Sequence, residues 1–588
     1  MVLFTAAIVL LAACKKNLDT KTLNEWDPED VWRIPELAEG VLMDVYNSLP
    51  TRPDNFDGNF LDAATDNGVT NRYTNVYKAG MGGITAQDNP LANWGDCYAQ
   101  LQTINLFLEK GLTDQLLYDR VSTEADARIK ARLKGEALFL RAWYSFSLLQ
   151  RNGGKTASGA ALGYPIIDHF LSDSEGRDME TYERASYQQC VTQIMADCDS
   201  AIRLLPFVYS GTDVVTGTTQ TGRASGGAAL VLKSRVALYG ASPAYQDDAV
   251  VLLNDMGNFT VVDAQRYNTQ WVMAALVADT ALRTSGFGSF TGIKATDLAD
   301  AATTTPAEFV WRKFFNSNDM ESRHFPPYYR GSGQTAPSQN LVEAFPAKNG
   351  FPVTDSRSGY DPANPDPSLV ARDNRMNLNV YYQGRTFGAA GGKIDVVYGG
   401  KDSRSFHAAA SRSGYYLAKF LSNKDNMLNP VQTLTAIHYY PLLRKAEVFL
   451  NYAEAANEAW GPHTKGPGCQ YTAYEVIRSI RNLSGGITST TYLDEMAASK
   501  ESFRTLIQNE RRLELAFENH RFFDLRRWLL PLNESIKALE VTRQEDGTLV
   551  YRVQELEARN LNDIRYYYLP LPQNELLKSK KLVNNLGW

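Results

Sequence analysis

The chain has 588 residues, with 60 Lys and Arg against 66 Asp and Glu, a formal net charge of −6. That balance lacks the basic footprint of a nucleic-acid binder, so nucleic acid is not an expected partner. Hydrophobic residues at 44% and charged residues at 21% are ordinary globular values, and 42 Gly with 24 Pro exclude a collagen-like or linker-dominated chain. The 31 Tyr, 25 Phe and 9 Trp against only 6 His favour a protein that binds with rings over one that transfers protons.

The first element is Val2 to Ala13 (VLFTAAIVLLAA), uncharged and mostly apolar. A bilayer-spanning helix needs about 20 residues, so this run has the length of a signal-peptide core instead. It ends in Leu11-Ala12-Ala13-Cys14, which matches the lipobox of bacterial lipoprotein signals. Cys14 is therefore the expected lipidation site and membrane anchor, with residues 1–13 as the signal segment. No Lys or Arg precedes the run, which leaves open a start upstream of Met1.

Next come helices. Tyr98 to Lys110 is one, with Trp94 just before it. Arg132 to Gln150 places Leu133, Ala137, Leu140, Tyr144 and Leu148 on one face, and Gly153-Gly154 ends it. A third carries Cys190 and Cys198 eight residues apart, about 12 Å along its axis. Disulfide bonding needs Cα atoms within about 7 Å, so these two should stay unpaired. Together with Cys97 and Cys469 they read as buried thiols. Ala228 to Gly240, Leu442 to Trp460 and Ala473 to Leu483 are further amphipathic helices. In Leu442 to Trp460 four of the apolar positions are alanines, which let a partner helix approach closely. Alternating strands are scarce, so an all-α architecture is expected. Between the helices lie long loops rich in Gly, Ser, Thr, Asn and Pro: 209–227, 284–306, 316–337, 351–367 and 383–414. Loops of that length are often functional.

Catalytic and cofactor motifs fail on spacing. Asn152 to Thr156 (NGGKT) has Leu149 where a phosphate loop needs glycine, and no HExxH occurs. Asp361 to Ser368 (DPANPDPS) has oxygen ligands without an EF-hand glycine, so no cofactor is expected beyond a structural calcium ion, which is left open. Glycosidases need two carboxylates that spacing cannot reveal, so a glycoside hydrolase stays as an alternative. Glu510 to Trp528 (ERRLELAFENHRFFDLRRW) is charged and aromatic together. Its expected reading is structural, with Arg511, Arg512, Arg521, Arg526, Glu514, Glu518 and Asp524 satisfying one another and nearby backbone.

At these residues the chain resembles the RagB/SusD family of outer-membrane nutrient-binding lipoproteins. The likeness runs through FLRAWYSFSLLQRNGG (139–154), GRASGGAALVLKSRVALYGASPAY (222–245), PSQNLVEAFPAKNGFPV (337–353), RDNRM (372–376), LLRKAEVFLNYAEAANE (442–458), NERRLELAFENHRFFDLRRW (509–528) and YYLPLPQNELLKSKKLVNNLGW (567–588). Asn374 stands where the family has proline, and NNLGW ends the chain in place of QNPG[WY]. The resemblance implies a SusD-like fold of tetratricopeptide-like helix pairs carrying long irregular loops. It would have an N-terminal part over 14–245 and a C-terminal part over 246–588 within one compact fold. It also implies a non-catalytic lipoprotein on the outer face of the outer membrane, which captures glycans for a SusC-like TonB-dependent transporter. A helical scaffold that binds peptides or proteins is the second alternative.

The resemblance puts ligand contacts in loops of the N-terminal third and in insertions after the second characteristic helix. The candidates are Asp66, Arg72, Tyr73, Tyr77 and Trp94 in the first region, and Trp271, Trp311, Tyr328 and Tyr329 in the second. Flat rings stack on the C–H faces of sugars while Asp and Arg bind hydroxyls, so at least one of Tyr73, Trp311 and Tyr328 is expected to touch ligand.

Overall fold

A computed structural model describes residues 30–177, 182–300 and 306–588; the apolar leader and Cys14 lie outside the described residues. Helices α1 (Pro35–Asn47), α2 (Trp94–Lys110), α3 (Thr123–Asn152), α4 (Tyr187–Leu204), α5 (Gly226–Ala241) and α6 (Ala264–Arg283) precede residue 300. Helices α7 (Lys445–Trp460), α8 (Ala473–Leu483), α9 (Lys500–Glu514) and α10 (Arg521–Arg527) follow it. From α2 to α6 each helix packs on the next in sequence, and α7 then packs against α5, α6, α8 and α9. The alanines of α7 make this possible: Ala446, Ala453, Ala455 and Ala456 are all buried, and their small side chains let neighbouring helices close in.

The helix ends follow local chemistry. α3 starts nine residues before the expected Arg132, because the Ser122 hydroxyl accepts from the Ala125 amide and caps its first turn. It stops at Gly153, as expected, but not through a left-handed residue. Gly153 is extended (φ −71°, ψ 144°), and a Cβ there would lie 2.5 Å from the Leu149 carbonyl and 2.7 Å from the Tyr187 ring. The glycine serves a close approach. α8 begins with a reciprocal capping box between Thr472 and Glu475.

Strands form small antiparallel pairs: β1 (Gly68–Thr70) with β3 (Thr335–Pro337), β2 (Phe309–Ser317) with β4 (Ala436–Arg444), and β5 (Ile536–Arg543) with β6 (Leu549–Glu557). Every sheet among the described residues has two strands. The expected helix start at Leu442 is corrected here, since Leu442 to Arg444 belong to β4. That strand is buried on nearly every residue, so it shows no alternation from which a strand could be read. Pro441 is tolerated because the register slips beside it.

Two large hydrophobic cores result, beside a small cluster of Val69, Ala336 and Ile536. The larger is helical and draws both on Leu42 to Tyr245 and on Tyr440 to Leu571. The smaller gathers Phe60, Phe325, Phe345, Tyr416 and Phe517 beneath the long loops of the second half. Between the helices runs the charged string. Arg511 binds Asp524 at 2.9 Å and Asn451 at 2.7 Å, Arg527 binds Asp524 and Glu454 at 2.7 Å each, and Arg444 holds both Glu514 and Glu518. Arg526, without a carboxylate, donates to the Phe522 carbonyl at 2.9 Å and stacks 3.4 Å from the Phe522 ring centre. The segment is a buried ionic clasp, as its composition suggested. Cys97, Cys190, Cys198 and Cys469 are buried and unpaired.

Candidate ligand-binding surface

Pairing of β1 with β3 sets Thr70 opposite Thr335 and so lays segment 71–77 beside loop 326–334. Asn71 fixes the arrangement. Its amide accepts nothing but donates widely: the side-chain nitrogen lies 2.6 Å from the Ser332 carbonyl, 3.1 Å from that of Gly333 and 2.7 Å from that of Ala409. Its backbone N–H also donates to the Gln334 carbonyl at 3.0 Å. Three loops (71–77, 326–334 and 395–411) are thereby stapled at one point. Gly333 sits there with φ 51°, and a Cβ would come within 3.1 Å of the Ala409 carbonyl and 3.0 Å of the Tyr416 ring. Glycine suits both the backbone and the space.

Each loop presents rings to solvent close to this staple in sequence. Tyr73 is 84% exposed and meets Tyr77 edge-on at 4.8 Å. Tyr328 is 56% exposed and meets Tyr329 edge-on at 5.2 Å. Tyr398 is 74% and Phe406 61% exposed, the latter edge-on to His407 at 5.0 Å. Exposed rings are costly to leave in water, which makes these segments candidates for an interaction surface. Lys401 stiffens it: its ammonium lies 3.9 Å from the Tyr328 ring centre and 3.1 Å from the Tyr329 hydroxyl. Tyr329 is in turn backed by the buried ring of Phe387, 4.2 Å away. Arg72 is exposed beside Tyr73.

The structure brings Arg72, Tyr73, Tyr77, Tyr328 and Tyr329 to this surface. It places Trp94, Trp271, Trp311 and Asp66 in the interior. Trp311 lies between Phe139 and Trp143, edge-on at 4.8 and 5.1 Å, and donates to the Gly222 carbonyl. Trp94 packs on Tyr98 at 5.1 Å and lines an apolar cavity of about 320 Å³. Asp66 accepts two 2.8 Å bonds from Arg521 and pairs with Arg512. Burial would raise its pKa, but the two arginines hold it well below the carboxylate range. Tyr398, Lys401 and Phe406 come from loop 383–414, whose length marked it without singling out a residue. The signal was available: rings set in a stretch rich in Gly and Ser, as for Tyr328.

Asp361 and Asp366 cap their own turns, accepting from the amides of Ala363 and Ser368. Among the described residues no group of three His, Cys, Asp or Glu is arranged to hold a metal, and no helix is long and apolar enough to cross a membrane.

Comparison with known proteins adds the following. Residues 303–588 match the family described as "SusD family", and residues 17–238 match "Starch-binding associating with outer membrane". Two curated relatives from Formosa agariphila are similar over part of the chain. SusD-like protein P2 is 30% identical over 156 residues, 26% of each chain, and SusD-like protein P25 is 33% identical over 141 residues, 23% of this chain and 21% of that one. The matched stretches thus span about a quarter of those relatives. Among solved structures, a SusD-like protein from Bacteroides fragilis superposes with a TM-score of 0.71 at 22% identity, covering 96% of this chain and 99% of that one. A SusD-like carbohydrate-binding protein from the same species gives 0.66 at 19% identity, covering 94% and 99%. At those identities the likeness speaks for the fold alone, which is mostly helical and SusD-like.

Proposed function

The chain belongs to the SusD/RagB family, and on that premise we propose that it is a non-catalytic binding protein of the bacterial outer membrane. It captures glycans on the ring surface stapled by Asn71 and hands them to a SusC-like TonB-dependent transporter. The observation that supports this reading is that Asn71 ties together three segments of the chain, which expose Tyr73, Tyr328, Tyr398 and Phe406. Exposed rings offer flat faces to sugar C–H groups, while Arg72 and Lys401 supply donors for hydroxyls. Lipidation of Cys14 would hold the protein to the membrane without a spanning helix.

A glycan array on the purified protein identifies the ligand, and calorimetry on alanine variants tests the site. Tyr73→Ala, Tyr328→Ala and Phe406→Ala should each weaken binding at least fivefold, about 1 kcal/mol per lost ring contact, with the melting temperature little changed. Unchanged affinity in the triple variant would sink the assignment. Cys14→Ser should move the protein from the membrane to the soluble fraction, and a β-barrel transporter should co-purify with the wild type. Hydrolysis of a bound polysaccharide by the isolated protein would decide for an enzyme instead.

A further inference from the structure

Away from the ring surface, a cavity of about 330 Å³ opens where the start of α2, the end of α3, β4 and the turn 518–523 meet. That volume is at the lower end of the range of small-molecule sites, about 300–1,000 Å³. Its charges are unevenly matched. Arg235 is neutralised by Glu447, which it grips with two bonds of 2.5 and 2.6 Å. Glu518 is neutralised by Arg444 and Lys419 at 2.7 Å each. Asp96 lies exposed at the rim.

Arg151 is different. Its guanidinium makes one hydrogen bond, from Nη1 to the Leu91 carbonyl at 3.1 Å, lies 5.9 Å from the Phe56 ring centre, and has no carboxylate in ion-pair contact among the described residues. Partial burial pulls its pKa below the usual arginine value, and the opposing attraction of Asp96 at the rim does not restore it. His520 faces the same space with neither ring nitrogen hydrogen-bonded among the described residues. Burial, with the nearby charges of Arg235, Arg511, Arg444 and Arg527, pushes its pKa well below the usual histidine value, so the ring is neutral. Trp143 and the buried Tyr440 supply ring walls.

We propose that this cavity is a second binding site, for a small organic carboxylate of sugar-acid size. Its carboxylate would be held by Arg151, its hydroxyls met by neutral His520, and its apolar face set against Trp143 and Tyr440. An arginine fork fits a carboxylate with two parallel bonds, which supplies the missing counter-charge. The site is separate from Tyr73 and Tyr328 and does not depend on the glycan reading.

The test is calorimetry of the full-length protein with galacturonate, galactose and inorganic phosphate as probes. Saturable galacturonate binding is expected, at least tenfold tighter than galactose or phosphate. Arg151→Gln should weaken it at least tenfold while the thermal midpoint changes little, because the half-buried guanidinium holds no carboxylate in the free protein. Trp143→Ala should weaken it as well, whereas Tyr328→Ala should leave it unchanged even if polysaccharide binding is lost. Absence of saturable galacturonate binding, equal binding of galactose or phosphate, or unchanged binding in both cavity variants overturns the proposal.

Discussion

The side-chain amide of Asn71 has two protons and three carbonyls within reach, those of Ser332, Gly333 and Ala409. Loss of that amide leaves carbonyls without donors, at about 1–3 kcal/mol for a buried group. Asn71→Ala should therefore loosen the loops around residues 332 and 409 without unfolding the helices. Ligand affinity should fall by tenfold or more, and amides of 326–334 and 402–411 should exchange faster in hydrogen–deuterium exchange. Asp402 governs the same loop through pH. Its carboxylate accepts the Asp395 amide at 2.9 Å and its own carbonyl accepts the Tyr416 hydroxyl at 2.6 Å, while burial raises its pKa to about 6. The folded loop binds this proton more tightly than the unfolded chain does, so its contribution is complete below about pH 4 and is lost as pH rises through 6. Amides of 395–410, corrected for intrinsic exchange, should be better protected at pH 5 than at pH 7.5. Asp402→Asn should abolish the difference.

Helices α7, α9 and α10 are tied to one another by Glu454, Arg527, Asp524 and Arg511. Glu454 also accepts from the Trp528 indole at 2.7 Å, so its removal takes one of two carboxylates from the buried Arg527 and leaves the indole N–H without that acceptor. Glu454→Ala should cost about 3–5 kcal/mol, read as a lower urea midpoint. Exposed pairs such as Arg128 with Asp213 should cost little when broken. Helical periodicity sufficed to find α3 and α8, where an apolar face meets the core and polar residues meet water, while α5 and α7 are buried almost throughout. It failed for β4, buried on both faces, and for the first nine residues of α3, where Ser122 and not an apolar stripe sets the start. The long loops were legible only in part, since the expected loop 316–337 holds a short helix at Asp319–His324 and strand β3, and 383–414 holds a two-residue strand pair. The staple was not legible, because Asn71 and Ala409 are 338 residues apart and nothing local to either marks the other.

Across the whole molecule, several carboxylates are ionised at a cost repaid by arginines. Asp66 lies well below its ordinary pKa for this reason. Burial would raise Asp54, but His324, Arg323 and Arg52 hold it at about 2. Both pKa values are depressed on folding, so their contributions are present above about pH 4 and are lost as pH falls toward 2. Acid unfolding followed by circular dichroism should accordingly be steep in that window, and the double variant Asp54→Asn, Asp66→Asn should be flatter there but less stable at pH 7. The sequence by itself determined the helical class, the family and the ionic role of the 510–528 segment, because periodicity, ordered motifs and charge pairing are carried by neighbouring residues. Only the tertiary structure decided which rings face solvent. Trp94, Trp311 and Tyr328 are all large aromatic residues, yet packing encloses the first two while the third stands exposed beside Tyr329 and Lys401. Exposure depends on what folds back from hundreds of residues away.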